Sequence, residues 1–349
     1  MKMRTSSFSL RDRRGVALIM VIWVVSILSV MALEFSFAMR TEVNIARNFK
    51  EEAQLCAIAE GGIQRAVTEL VYKHDLRVQQ MKRTLKPEET PTEKREWLAD
   101  GRPYVIPFGE KNCEIRIMSE GGKVNINTVS EATLRRIVGQ LGVDGEKRDT
   151  IVDSILDWRD PDDLYHINGA EKEYYQSLKE PYEPKNGNLD SIEELLLVRG
   201  VTGPLFHGIG GAEKEGSGTE SDPAGAAVGL KHIFSIYALG EQVDINSAPL
   251  PVLRFVLGIP AEIAERIVTA REEKGFQSEP DLRLRVPELT PMIGEFSRFI
   301  TYRTPVPYYT VESRGKTEGR SVRGLKAIVK IDPADKNGHK IIQWVDWIL

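Results

Sequence analysis

At 349 residues the chain is long enough for about two domains with a sizeable core. Charged residues make up 28% and the net charge is -4, which excludes a bulk basic field of the kind that binds nucleic acid. The charge is unevenly placed. Residues 1–15 hold Lys2, Arg4, Arg11, Arg13 and Arg14 against Asp12 alone, so the chain beyond them carries about -8.

The first predicted element is a helix. Val16 to Leu33 is apolar except for Ser26 and Ser29, and as a helix it would be roughly 27 Å long, enough to cross the hydrocarbon of a bilayer. Basic residues just ahead of such a span hold that end in the cytoplasm and place the body outside it. An ordinary signal peptide has a shorter apolar stretch ending in small residues. Here the helical period continues through Ile45, Phe49, Ala53, Cys56, Ile63, Val67 and Leu70, one stripe for packing on something globular.

A short basic leader ending in Gly15, an apolar helix starting at Val16 and an amphipathic continuation resemble the class III signal of type IV pilins and type II secretion pseudopilins. The resemblance implies that a prepilin peptidase cuts between Gly15 and Val16, removing residues 1–15 and leaving residues 16–37 in the membrane. Most of that family carries Glu at the fifth mature position, and this chain has Met20 there. The family's Glu meets the N-terminal amine of a neighbour already in the filament, so Met20 points to the tip position. A plain single-pass anchor is the competing reading.

Two strands follow, Tyr104 to Phe108 and Asn112 to Ser119, the second alternating Cys113, Ile115 and Ile117 with Glu114, Arg116 and Met118. Three more lie at the far end, in residues 308–315, 321–331 and 340–349. The predicted fold class is α+β: a long N-terminal helix packed on an antiparallel sheet, interrupted by a large all-α insertion. Its parts are residues 38–119 and 305–349 for the sheet domain, 120–235 for a first helical unit and 236–304 for a second.

The two units echo one another. Lys123 opens "KVNINTVSEATLRRI" and Gln242 opens "QVDINSAPLPVLRFV", 119 positions on. Thr128 and Ser247 are expected as helix N-caps with Asn127 and Asn246 shaping the approach, and Pro249 sits in a first turn. A second helix is expected in each copy, at 150–159 and 261–273. The segment after Leu257 also resembles helix-hairpin-helix modules, which offer backbone N–H groups to a phosphate. Gly258 is present, but Pro260, with no N–H, stands where a second glycine is usual. The reading is therefore a protein-contact domain of sterile-alpha-motif-like shape, with no nucleic acid partner.

Residues 156–175 gather Asp157, Asp160, Asp162, Asp163, Glu171 and Glu173 around Pro161, hard oxygen donors suited to Ca²⁺, though not at EF-hand spacing. A solvated acidic loop with helix caps is the alternative. Trp158 beside them is expected in the core. Residues 208–229 and 86–97 are polar, without apolar period, and read as linkers. Cys56 and Cys113 are the only cysteines, and a bridge between them is an expectation that an oxidising compartment permits. The five histidines are scattered and no H-E-x-x-H, G-x-S-x-G or P-loop motif occurs, so the chain is not expected to be an enzyme.

The pilin-type start joined to a duplicated helical insertion resembles the large minor pseudopilins of type II secretion. That resemblance implies a single-pass inner-membrane protein with its bulk in the periplasm. It would cap the tip of the pseudopilus and help start its assembly. The implied partners are the minor pseudopilins I and J, with the major pseudopilin and H as further neighbours, and Ca²⁺ is the implied cofactor of the helical domain. A minor pilin of a related type IV pilus, or a membrane-anchored helix-hairpin-helix DNA-binding protein, are the alternatives.

Overall fold

A computed structural model describes residues 13–75, 97–109, 111–208, 228–317 and 320–348. The linker at 86–97 lies outside them except for Trp97, and so do residues 209–227 of the other linker. Contacts divide the chain into two units, residues 1–55 and 56–349.

Helix α1 runs Arg13–His74. In the first unit its residues Val16 to Leu33 are exposed and apolar, and this is the one described helix long and apolar enough to cross a membrane. In the second unit Ala59, Ile63, Ala66, Val67 and Leu70 are buried on the sheet. The burial is narrower than the predicted stripe: Ile45 and Phe49 are 63% and 73% exposed and Cys56 is half-buried.

The sheet has five strands, β1 (Asp100–Phe108), β2 (Lys111–Ser119), β7 (Tyr308–Thr317), β8 (Arg320–Ile331) and β9 (His339–Ile348), all antiparallel and in that order. One face carries Cys113, Ile115, Ile117, Val311, Leu325, Ala327 and Val329 onto α1, as period-two alternation requires. The chain leaves the sheet at the end of β2 and returns at the start of β7, with Ser119 directly opposite Tyr309.

Gly62 marks the closest approach of α1 to the sheet. A Cβ there would meet Ser313 Oγ at 2.2 Å and Cys113 Sγ at 2.5 Å. The predicted bridge is not formed in this structure. Both cysteines are thiols outside any disulfide, and Cys113 lies 3.1 Å from Ser313 Oγ. Cys56 is six residues before Gly62, about 9 Å along the helix, while a disulfide needs Cα atoms within about 7 Å.

Between β2 and β7 lie the two helical units, sharing one core. In the first, β3 (Val124–Asn125) leads to α2 (Glu131–Gln140), α3 (Gly145–Arg159), α4 (Lys172–Gln176) and α5 (Gly203–His207), and β4 (Phe234–Ser235) returns parallel to β3. In the second, β5 (Val243–Asp244) leads to α6 (Leu250–Phe255), α7 (Ala261–Glu273), α8 (Glu279–Arg285) and α9 (Ile293–Phe296), and β6 (Ile300–Thr301) returns parallel to β5.

The caps fall later than predicted. Ser130 caps α2, its hydroxyl accepting from the Thr133 N–H, and Pro249 precedes α6 without a side-chain cap. Thr128 and Ser247 sit two residues earlier, where Asn125 and Asp244 carboxamide and carboxylate oxygens accept the N–H groups of Asn127 and Asn246, both at 2.9 Å. The paired asparagines then clamp distant backbone in the same way. Asn127 bonds the Leu189 N–H and C=O, and Asn246 bonds those of Phe276.

Candidate functional site

The acidic segment is built on α3. Asp153 and Asp157, one turn apart, point inward and are almost wholly buried. Asp153 is fully partnered: Arg135 Nη2 donates at 2.6 Å, and the Asn168 backbone and side-chain nitrogens donate at 3.1 and 3.0 Å. Asp157 is not. Its Oδ1 accepts from the His166 N–H at 3.0 Å and contacts the His166 ring, while Oδ2 has no partner. Asp160 Oδ1 and both carboxylate oxygens of Glu171 are likewise buried and unpartnered.

Four orphaned carboxylate oxygens in one place are costly unless something else satisfies them. Burial and the charges of Asp157, Asp160, Asp163 and Asp162 push the Glu171 carboxyl up to about 7. Asp160 is raised by burial and by Asp162 and Asp157. Burial works against a charged His166, yet its bond to Asp157 and the neighbouring carboxylates raise it overall. The gathered negative charge thus favours whatever adds positive charge here, a proton or a cation.

Gly169 completes the cradle, since a Cβ there would lie 1.8 Å from Asp157 Oδ2. Asp157, Asp160 and His166 each offer a ligand atom within 4.8 Å of the others. The Asp157 and Asp160 carboxylate oxygens are donors of the kind a hard cation takes, and Glu171 lies within their electrostatic reach.

Three of the six sequence-predicted acids, Asp157, Asp160 and Glu171, therefore share the buried pocket. Asp162, Asp163 and Glu173 are exposed and bond the Leu164 N–H, the Asn186 amide and the Tyr165 hydroxyl. Sequence reading missed His166 and Gly169, whose roles depend on the loop folding back over α3. Trp158 is 3% exposed and packs edge-on against Tyr175 and Tyr182, in the core as predicted.

The hairpin turns lack the usual phosphate loop. Pro260 precedes α7, and Asp144 precedes α3 at the matching place in the first unit. Val16 and Met20 lie on exposed helix in the membrane-length span.

Residues 116–209 match the family model of type II secretion system protein K. Type II secretion system protein K of Pseudomonas aeruginosa is 25% identical over 315 residues, spanning 87% of this chain and 84% of that one. The chain is thus similar to type II secretion protein K over most of its length. Protein K of Aeromonas hydrophila is 26% identical over 159 residues, 44% of this chain and 42% of that one. Residues 240–293 match a helix-hairpin-helix motif. Among solved structures, one from the GspK-GspI-GspJ complex of enterotoxigenic Escherichia coli shares the fold, with TM-score 0.55 at 14% identity over 86% of this chain and 99% of that one. The apolar start of α1 fits single-pass anchoring in the inner membrane.

Proposed function

We propose that this protein is a minor pseudopilin of a type II secretion system, which caps the tip of the pseudopilus and helps initiate its assembly for export of folded proteins. One observation carries the reading: a pilin-type helix and sheet in which the β2–β7 connection is a folded insertion of two helical units. Such bulk beside the sheet would hinder a further subunit from stacking above. Met20, where the family's carboxylate would meet a neighbour already in place, supports the same position.

The leader would be removed between Gly15 and Val16 by the prepilin peptidase, with the body in the periplasm because the basic residues precede the span. Minor pseudopilins I and J are the proposed partners, since the similar Escherichia coli chain was solved in a complex with GspI and GspJ. The major pseudopilin and H are proposed as further neighbours. No catalytic role is assigned. Ca²⁺ is the proposed ion of the helical domain, held by Asp157, Asp160 and Glu171 with His166 beside them, where it would supply positive charge to bind and order the loop.

The deciding experiment is co-expression of the full chain with I, J and the peptidase, followed by mass measurement and co-purification. A mature chain beginning at Val16 in a defined complex is expected. A chain still beginning at Met1, or one that never joins I and J, overturns the reading.

A further inference from the structure

The two helical units meet at an aromatic ring held by two arginines. Phe299, buried just ahead of β6, has the Arg298 guanidinium 4.5 Å and the Arg136 guanidinium 5.0 Å from its ring centroid. Arg136 comes from α2 of the first unit and Arg298 from the second. Neither has a carboxylate within 4.0 Å among the described residues, and Arg136 Nη2 is buried without a hydrogen-bond partner.

The nearest acid that Arg136 feels is Glu241. That carboxylate is already committed, accepting from the Ser130 N–H at 2.5 Å and the Thr133 hydroxyl at 3.2 Å. Two like charges are therefore kept together beside a single carboxylate that is hydrogen-bonded elsewhere. Burial first, and the charge of Arg298 after it, hold the Arg136 guanidinium below its ordinary value. Contact with the ring uses the guanidinium faces and leaves the N–H edge of exposed Arg298 open to a planar oxyanion, which an arginine fork matches with two parallel bonds, while half-buried Arg136 adds its charge beside it.

We propose that Arg136, Arg298 and Phe299 form a carboxylate-binding shelf at the junction of the two helical units, which takes an acidic segment of a partner protein. A phosphodiester has similar oxygens, but the chain is acidic overall, and Asp144 and Pro260 stand at the hairpin positions from which a nucleic acid backbone would be held. The shelf is separate from the acidic pocket of α3 and does not depend on tip position.

The test uses the full chain in detergent micelles and three probes: hexaglutamate, inorganic phosphate and a short DNA duplex. Hexaglutamate binding that weakens at least tenfold in Arg298→Gln, and again in Arg136→Gln with Arg298→Gln, is expected. Arg298 is exposed, so its variant should keep the wild-type melting temperature without ligand. Arg298→Lys, which retains charge but not the fork, should fall between. Equal hexaglutamate affinity in the wild type and the double variant, or no binding by either, overturns the proposal. Duplex DNA bound more tightly than hexaglutamate overturns its ligand. Phosphate competing with hexaglutamate in the wild type only is the supporting outcome of the third arm.

Discussion

Arg159 and Arg271 occupy equivalent places in the two halves of the insertion. Arg159 donates through Nη1 and Nη2 to the carbonyls of Ile126 and Val129, each at 2.7 Å. Arg271 donates through Nη1 to those of Ile245 at 3.0 Å and Ala248 at 2.8 Å. Each arginine thus fastens its second helix to the turn that starts its unit. Arg271 also faces Asp100 of β1 at 3.6 Å, while Arg102 bonds the same carboxylate.

Replacing Arg271 by Met should therefore destabilise the protein by about 3–5 kcal/mol, because it leaves Asp100 and two carbonyls buried with less compensation. Arg159→Met, which strands only carbonyls, should cost about 1–3 kcal/mol. Denaturant unfolding of the two variants checks the order.

The same ion pair sets an acid limit. Burial alone would raise Asp100, but the hydrogen bond from Arg102 and the charge of Arg271 outweigh it, and its carboxyl lies below the usual range. A depressed folded value means stabilisation that is full above the unfolded value and is lost as pH falls through the folded one. Melting temperature should fall below about pH 4, and Asp100→Asn should be less stable than wild type at pH 7 yet lose less on acidification. An unchanged acid profile in that variant would count against the pair.

The acidic pocket behaves oppositely. Glu171 titrates at about 7 when folded against an ordinary 4.5, and His166 is also raised. Raised values stabilise at low pH and lose that effect as pH rises through the folded value. The metal-free protein should melt lower at pH 8 than at pH 6, and Ca²⁺ should restore more at pH 8. At 100 times its dissociation constant it would add about 2.7 kcal/mol. Gly169→Ala, whose methyl would occupy the space beside Asp157 Oδ2, should abolish the response. Thermal melts with and without Ca²⁺ at both pH values decide it.

Denatured, unreduced protein should yield two reactive thiols per chain, since Cys113 faces Gly62 and Cys56 lies too far up the helix. Gly62→Val should cost at least about 2 kcal/mol through overpacking against Ser313 and Cys113, read in the same unfolding assay.

How much of this was legible depends on the range of the interaction. The strand alternation at Cys113, Ile115 and Ile117 and the helical spacing of Ile63, Val67 and Leu70 are local patterns, and both packed as their periods required. The echo at Asn127 and Asn246 was visible because neighbouring residues repeat with it. Arg159 and Arg271 escaped because the loops between them and their targets differ in length, which breaks the 119-residue offset. His166 escaped because nothing in its neighbours' types announces that its loop returns to Asp157. The caps were misplaced at Thr128 and Ser247 because the turn that Asn125 and Asp244 stabilise delays the helix.

Ser119 and Tyr309, paired across β2 and β7, are separated by nearly two hundred positions of chain. In the sheet they are simply the two ends of a hairpin. Because each helical unit begins and ends on adjacent parallel strands, its points of departure and return lie side by side, and the whole segment is inserted at one place and tied back to β1 through Arg271 and Asp100. The ladder between β2 and β7 is made by its own strands, and beside it the Thr310 hydroxyl donates to Glu120 at the start of the insertion. Excising residues 120–307 and joining the stumps with a short turn should therefore keep the five strands in register while leaving Asp100 without Arg271.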